Sequence, residues 1–149
     1  YAGYVLWRCI VPETEIPHET HTLLADAFTF ALPPGEMLHC MLVPGPNDDL
    51  RPGHRNFLII WYRPAPRSAL PDLFTDQSGH CHGMTIPPPL IRPALVRDMK
   101  AAARATLAPQ LADIVEQHQS RRTDYGRDHR LLRCEQCNAD PRRRWIARV

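Results

Sequence analysis

No stretch of eighteen apolar residues occurs in the 149-residue chain, so no segment is long enough to cross a bilayer as a helix, and no membrane partner is expected. Glycine is scarce, and its seven copies never fall into GxGxxG or GxxxxGK[ST]. The chain therefore carries neither a dinucleotide-binding loop nor a P-loop of its own. No charged-then-apolar leader opens the sequence. No internal repeat is present, and no Ser-His-Asp or Cys-His arrangement has supporting local context. The five cysteines (Cys9, Cys40, Cys81, Cys134, Cys137) are odd in number and lack a disulfide framework spacing. A reducing, cytoplasmic compartment is the expectation. Cys134 and Cys137 form a lone CxxC. Zinc asks for four ligands, and His129 or the His80-Cys81-His82 run would add to it only if the fold brought them near. A redox CxxC would sit in a βαβ unit, which is missing, so no metal is expected.

Proline is abundant: 16 of 149 residues, about 11% against a usual ~5%. Such a chain is punctuated by rigid turns, and long helices should be few and confined to one region. Apolar residues make up 44%, enough for a packed core. The net charge of +2 hides an asymmetry. Residues 1–120 hold nine basic and twelve acidic residues, whereas 121–149 hold nine arginines against four acids. The body has no nucleic-acid footprint, and the Arg-rich end (Arg121, Arg122, Arg142, Arg143, Arg144) reads as a solvated, divergent or disordered tail. The domain is expected over 1–118 and the tail over 119–149.

Residues 3–11 read as a strand ended by Pro12. Both of its faces are apolar apart from Arg8, which predicts a central position. Residues 12–24 read as a connection, with Pro12, Pro17 and three acids. Residues 27–32 and 37–43 read as a hairpin around Pro33-Pro34-Gly35-Glu36. A four-residue loop sets Leu32 opposite Met37, Phe30 opposite His39 and Phe28 opposite Met41, all on one face. Residues 44–49 are a loop, and 56–63 are a further strand with two apolar faces. The stretch from Pro64 to Pro93 is proline-punctuated and mostly irregular. From Pro93 the period changes to that of a helix, which Pro109 restarts. The pattern predicts an α+β fold: a mostly antiparallel sheet with hairpins, followed by C-terminal helices.

Two residues stand out chemically. Arg8 in an apolar strand needs a partner, either a structural acid or an anionic ligand or cofactor. His39 lies among Phe28, Phe30, Met37 and Met41. A histidine there is ordinarily a satisfied core or edge residue. The alternative is a flat aromatic ligand on that face, with the imidazole moving one proton near neutral pH. Trp7, Trp61, Tyr4 and Tyr62 sit in strands, where core packing is the ordinary role. Solvation is the default for His18 and His21.

A serial resemblance adds to this. Tyr1-Ala2-Gly3-Tyr4-Val5-Leu6-Trp7-Arg8 with Val11-Pro12-Glu13 resembles the opening of a segment in flavin-dependent aromatic hydroxylases of the p-hydroxybenzoate hydroxylase class. The likeness is nearest to the 2,6-dihydroxypyridine 3-monooxygenase branch. Phe28-Thr29-Phe30, Pro34-Gly35 and Leu42-Val43-Pro44-Gly45 are similar to its substrate-domain hairpin. Pro52-Gly53 and Asn56 to Arg63, ending in Trp61-Tyr62-Arg63, are similar to the following strand. Leu73-Phe74-Thr75-Asp76 with Gly79, then Ile86-Pro87-Pro88, and later Leu107-Ala108-Pro109-Gln110-Leu111, continue the match in order over 1–118. Cys9 stands where the family usually has glycine.

The resemblance implies the substrate-binding domain of an FAD- and NAD(P)H-dependent monooxygenase that hydroxylates a small aromatic or N-heteroaromatic ring. Both FAD motifs of that family would lie outside this sequence, so the chain is expected to be a fragment, inactive alone, whose partners are the FAD-binding portions of the same enzyme; a homodimer is open. It implies His39 as the group assisting proton movement, Phe28, Phe30, Met37, Met41 and Trp61 as substrate walls, and Arg8 towards flavin or substrate. The competing reading is a stand-alone small-molecule binding module without redox chemistry.

Overall fold

A computed structural model describes residues 1–117 and the backbone of 132–134. The expected central strand is β1 (Tyr4–Pro12). The chain then makes a 3-10 turn at Glu13–Glu15 and a short helix, α1 (His18–Leu24). The hairpin follows as β2 (Thr29–Ala31) and β3 (Met37–Val43), then β4 (Asn56–Pro64). The proline-rich stretch holds α2 (Leu70–Leu73) and β5 (Thr85–Ile86). Two helices close the domain, α3 (Pro93–Thr106) and α4 (Pro109–Gln117). A last strand, β6 (Leu132–Cys134), comes from the Arg-rich segment. Cys137, His129 and the arginines Arg121, Arg122, Arg142, Arg143 and Arg144 lie outside the described residues.

The fold is α+β, and every strand pairing is antiparallel. The order across the sheet is β2-β3-β4-β1-β6-β5, so β1 is interior as its two apolar faces predict. The hairpin register matches the four-residue loop: Phe30 pairs with His39 and Ala31 with Leu38. The helices begin at Pro93 and Pro109, where a missing backbone N–H costs no hydrogen bond.

Three expectations need correction. The connection over 12–24 contains a helix, because Thr20 and Leu24 turn a buried stripe towards the core while Pro17 starts the first turn. β2 is three residues long rather than six, since it is an edge strand paired on one side only. The Arg-rich segment supplies β6, which pairs with both β1 and β5. A three-residue strand held by neighbours on both sides has no periodicity of its own to read.

One sheet face is closed. Val5, Trp7, Cys9 and Val11 of β1, Leu38 and Cys40 of β3, and Phe57, Ile59 and Trp61 of β4 form one buried cluster with Met99 and Ala103 of α3 and Leu111, Ile114 and Val115 of α4. Trp61, Phe57 and Ile59 are almost wholly shielded from solvent. The burial pushes the Cys9 and Cys40 thiols up to about 12, so both behave as small apolar groups.

The loops are fastened by buried carboxylates. Glu13, 4% exposed, accepts hydrogen bonds from the Gly53 and Arg55 backbone N–H groups and from the Arg55 guanidinium on both its oxygens. His21 of α1 lies 2.9 Å from the same carboxylate and sets its ring edge-on to Phe57, so it is tied into the fold rather than merely solvated. One side chain thereby joins the end of β1, helix α1 and the start of β4. Asp76 plays a similar part in its turn, accepting from Ser78 and the His80 backbone and pairing with His82 at 2.8 Å. Ser78 first, then His82, hold its carboxyl well below the usual range. Gly45 is required by close approach, because a Cβ there would overlap the His54 carbonyl.

The Arg55 hydrogen bonds, opposed by burial and helped by His21, hold Glu13 at about 2 against an ordinary 4.5. The folded-state value lies below the unfolded one. The stability this carboxylate carries is therefore complete above the normal glutamate range and is lost as pH falls through about 2. Glu13→Gln is expected to destabilise the domain by about 2–4 kcal/mol at neutral pH, because it removes the buried charge that the Arg55 guanidinium, two backbone N–H groups and His21 all point at. Urea unfolding of both proteins from pH 7 down to pH 3 checks this: the gap between them should narrow with acid.

Candidate functional site

The other face of the same sheet has no helix against it among the described residues. Alternation places Leu58, Ile60 and Tyr62 of β4 there, with Tyr4, Leu6, Arg8 and Ile10 of β1 and Met37, His39 and Met41 of β3. Leu6 and Leu58 are buried yet stand outside the core cluster, shielded by their own neighbours on this face. Phe28, Phe30 and Leu32 are 56%, 53% and 75% exposed. Large apolar side chains left exposed together on one surface make this the candidate binding face.

The strand register aligns the chemistry. Phe30 pairs with His39, His39 with Ile60, and Ile60 with Arg8. These four residues form one row across β2, β3, β4 and β1. Directly opposed residues in antiparallel strands point to the same side. Strand spacing puts His39 and Arg8 about 10 Å apart at their Cα atoms, with Ile60 as the floor between them. The neighbouring rows add Met37 opposite Tyr62 and Met41 opposite Leu58.

An aromatic cluster surrounds His39. Its ring centroid lies 5.5 Å from that of Phe28, 6.0 Å from Phe30 and 5.8 Å from Tyr62. Phe28 and Phe30 stack at 4.6 Å, and Tyr62 meets Tyr4 edge-on at 5.5 Å. Burial among these rings lowers the His39 pKa below its ordinary 6.5. His39 is therefore a neutral imidazole near pH 7, able to accept a proton or a hydrogen bond.

The structure thus brings together His39, Phe28, Phe30, Met37, Met41 and Arg8. Trp61 does not join them. It lies on the closed face, paired with Leu38 and Trp7, and its indole Nε1 donates to Glu36 at 2.8 Å. Its neighbours in sequence, Ile60 and Tyr62, hold the open-face positions instead. Period-two alternation within 56–63 separates Ile60 and Tyr62 from Trp61, and a face assignment for that strand would have found them. Cys9 also points into the core, so the residue standing for the family's glycine does not crowd the Arg8 surface.

With this geometry in view, the family model for FAD binding domain-like proteins matches residues 1–121. The chain belongs to that FAD binding domain-like family. Its fold is similar to that of 2,6-dihydroxypyridine-3-hydroxylase from Arthrobacter nicotinovorans, with a TM-score of 0.73 and 22% sequence identity. The likeness covers 80% of this chain and 30% of that one, so the chain spans less than a third of the hydroxylase's length. A search of curated proteins finds no match. Among the described residues of this family member, no helix is long and apolar enough to cross a membrane.

Phe30 is half-exposed, so its removal should cost little stability while opening His39 to water. Phe30→Ala is expected to raise the His39 titration midpoint towards 6.5. An NMR pH titration of the imidazole resonances reads this directly. An unchanged or lowered midpoint would show that Phe30 does not shield the ring.

Proposed function

We propose that this domain is the substrate-side wall of an FAD- and NAD(P)H-dependent monooxygenase that hydroxylates a small aromatic or N-heteroaromatic ring. The observation carrying this reading is the Phe30–His39–Ile60–Arg8 row on a sheet whose other face is fully packed. A flat ring laid on Ile60 would meet a neutral base at one end and a guanidinium at the other. Phe28, Phe30, Met37 and Met41 would exclude water from one flank, and Tyr62 would border the imidazole.

The residues present fit part of the flavin's needs. The open apolar surface suits the plane of an isoalloxazine ring, and Arg8 suits a negatively charged oxygen on substrate or cofactor. Nothing in this chain resembles a pyrophosphate-binding loop, so the nucleotide half would be held by other portions of the same enzyme. When bound, the flavin with NAD(P)H and O₂ would supply the redox chemistry. The protein's share is orientation, water exclusion and one proton. His39 accepts the ring hydroxyl's proton or a strong hydrogen bond from it, which raises the electron density of the ring. Arg8, fixed in charge, offsets the negative oxygen that results.

The test uses the chain together with the sequence flanking it in its gene. The purified protein is expected to carry FAD and to oxidise NAD(P)H faster when a hydroxylated aromatic is added, with a ring-hydroxylated product. His39→Ala should lower kcat by about 10²-fold or more near neutral pH, and the loss should shrink as pH rises towards the substrate's own ionisation. Unchanged turnover and affinity would remove the role of His39. Aromatic binding without flavin or product would favour a plain binding module.

A further inference from the structure

The three-residue edge strand β2, paired on one side only, carries Phe30, and Phe28 directly precedes it. Phe28 and Phe30 overhang His39 from this edge. An edge strand this short has few ladder hydrogen bonds to fix its tilt against the sheet. The hairpin turn is where that tilt is set, because Pro33–Glu36 is the only covalent link between the arm and β3. Within the turn the Glu36 N–H donates to the Pro33 carbonyl at 3.0 Å.

Glu36 directly precedes β3, and its side chain crosses to the adjacent strand β4. One carboxylate oxygen accepts the Trp61 indole N–H at 2.8 Å, and the other accepts from Arg63 Nε at 3.1 Å. The Arg63 guanidinium lies 4.7 Å over the Trp61 ring, closing a three-residue unit. Trp61 is 1% exposed and packed in the core, so the anchor point is immobile. The carboxylate is itself largely shielded, 13% exposed, which strengthens both bonds relative to a surface pair.

We infer that Glu36 is the positioning residue that holds the Phe28–Phe30 arm over His39, acting through Trp61 and Arg63. The inference rests on the reading of this face as a ring-binding wall only in its consequence for ligand affinity. The clamp makes the pocket's outer flank a fixed surface rather than a swinging flap. Glu36 touches no ligand in this arrangement; it sets where the two phenyl rings stand.

The test uses the 149-residue chain with Glu36→Ala and Glu36→Gln, read by the His39 imidazole titration and by backbone amide exchange. The groups facing His39 are Phe28 and Phe30 from the arm, Tyr62 from β4, and Met37 and Met41 on its own strand, with Arg8 further along the row. In Glu36→Ala the arm is released, and water reaches His39. Its titration midpoint should rise by about 0.3 pH units or more. Loss of a nearby negative charge alone would move the midpoint down, so a rise reports the arm and not the charge. Amides of the β2–β3 ladder should exchange about tenfold faster while those of the β1–β4 ladder stay as they were. Glu36→Gln keeps an acceptor for the indole and should leave the midpoint near that of the parent protein.

Should Glu36→Ala not fold, Trp61→Phe removes the same bond from the donor side and is read the same way. An unchanged midpoint and unchanged β2–β3 exchange in the variant lacking the bond would overturn the inference. Resorcinol serves as the ring probe. Weaker resorcinol binding in Glu36→Ala, restored in Glu36→Gln, is the expected result. If the parent protein does not bind resorcinol but the midpoint and exchange change as stated, the clamp stands and the ring-wall reading falls.

Discussion

The architecture depends on a sheet that is apolar on both faces and covered on one. Strands β1, β3 and β4 each send alternate side chains to the helices and the rest to an open surface. The covered side holds Trp61, Phe57, Ile59 and Leu38 at almost no exposure. Apolar burial of this kind contributes about 25 cal/mol per Å² and dominates the stability of a domain this size. The open side withholds the same contribution. Leaving Phe28, Phe30 and Leu32 in water is a sacrifice of stability that folding alone does not explain, and it is the usual mark of a surface shaped for something outside the domain.

Two carboxylates make that arrangement rigid. Glu13 gathers α1, the β1 end and the β4 start around one buried charge, and Glu36 ties the hairpin turn to the core through Trp61. Glu13 is surrounded by donors from α1 and from the loop that leads into β4, and stays ionised far into acid. Its role is global, since releasing it loosens both sides of the sheet end. Glu36 has two partners, both on β4, and its reach is local to the edge arm. The face that would meet a ligand is thus bordered by an arm whose position is set from the opposite, covered side of the sheet. Core packing and pocket shape are coupled through one indole N–H.

Much of this was legible in the residues. The loop Pro33–Glu36 sets the hairpin register by counting, so Phe30 and His39 fall opposite each other without any knowledge of the fold. Pro93 opens the helical stripe and Pro109 divides it into α3 and α4. The ordered resemblance over 1–118 also located the sheet and helices in sequence. What could not be read was long-range. Glu13 meets residues about forty positions away, and nothing local in Val11-Pro12-Glu13 announces that it will be buried. His21 looks solvated until Glu13 turns towards it. Trp61 was ambiguous because both faces of β4 are apolar, and only the position of the helices decides which face is core. Strand β6 escaped because three residues held by pairing on both sides need no pattern of their own.

The open face also constrains how any proton chemistry on it is divided. Burial among Phe28, Phe30 and Tyr62 already disfavours the imidazolium form of His39, and a ring laid over it would remove more water still. A base in that setting grows weaker as its pocket closes, so it cannot drive ionisation of a ring hydroxyl by basicity alone. The compensation must come from stabilising the anion that results. Arg8 stands in the same row, beyond Ile60, on an interior strand where it pairs directly with Ile60 of β4. A permanent positive charge there favours negative charge on the ring while disfavouring a second positive charge on His39. On the proposed function the two residues would work on opposite products of one proton transfer. His39 would supply an acceptor at short range, and Arg8 the field that makes the acceptor sufficient. Removing Arg8 would leave the proton's destination intact but withdraw the reason for it to move. This is why an arginine and a histidine, rather than two histidines, suit the ends of this row.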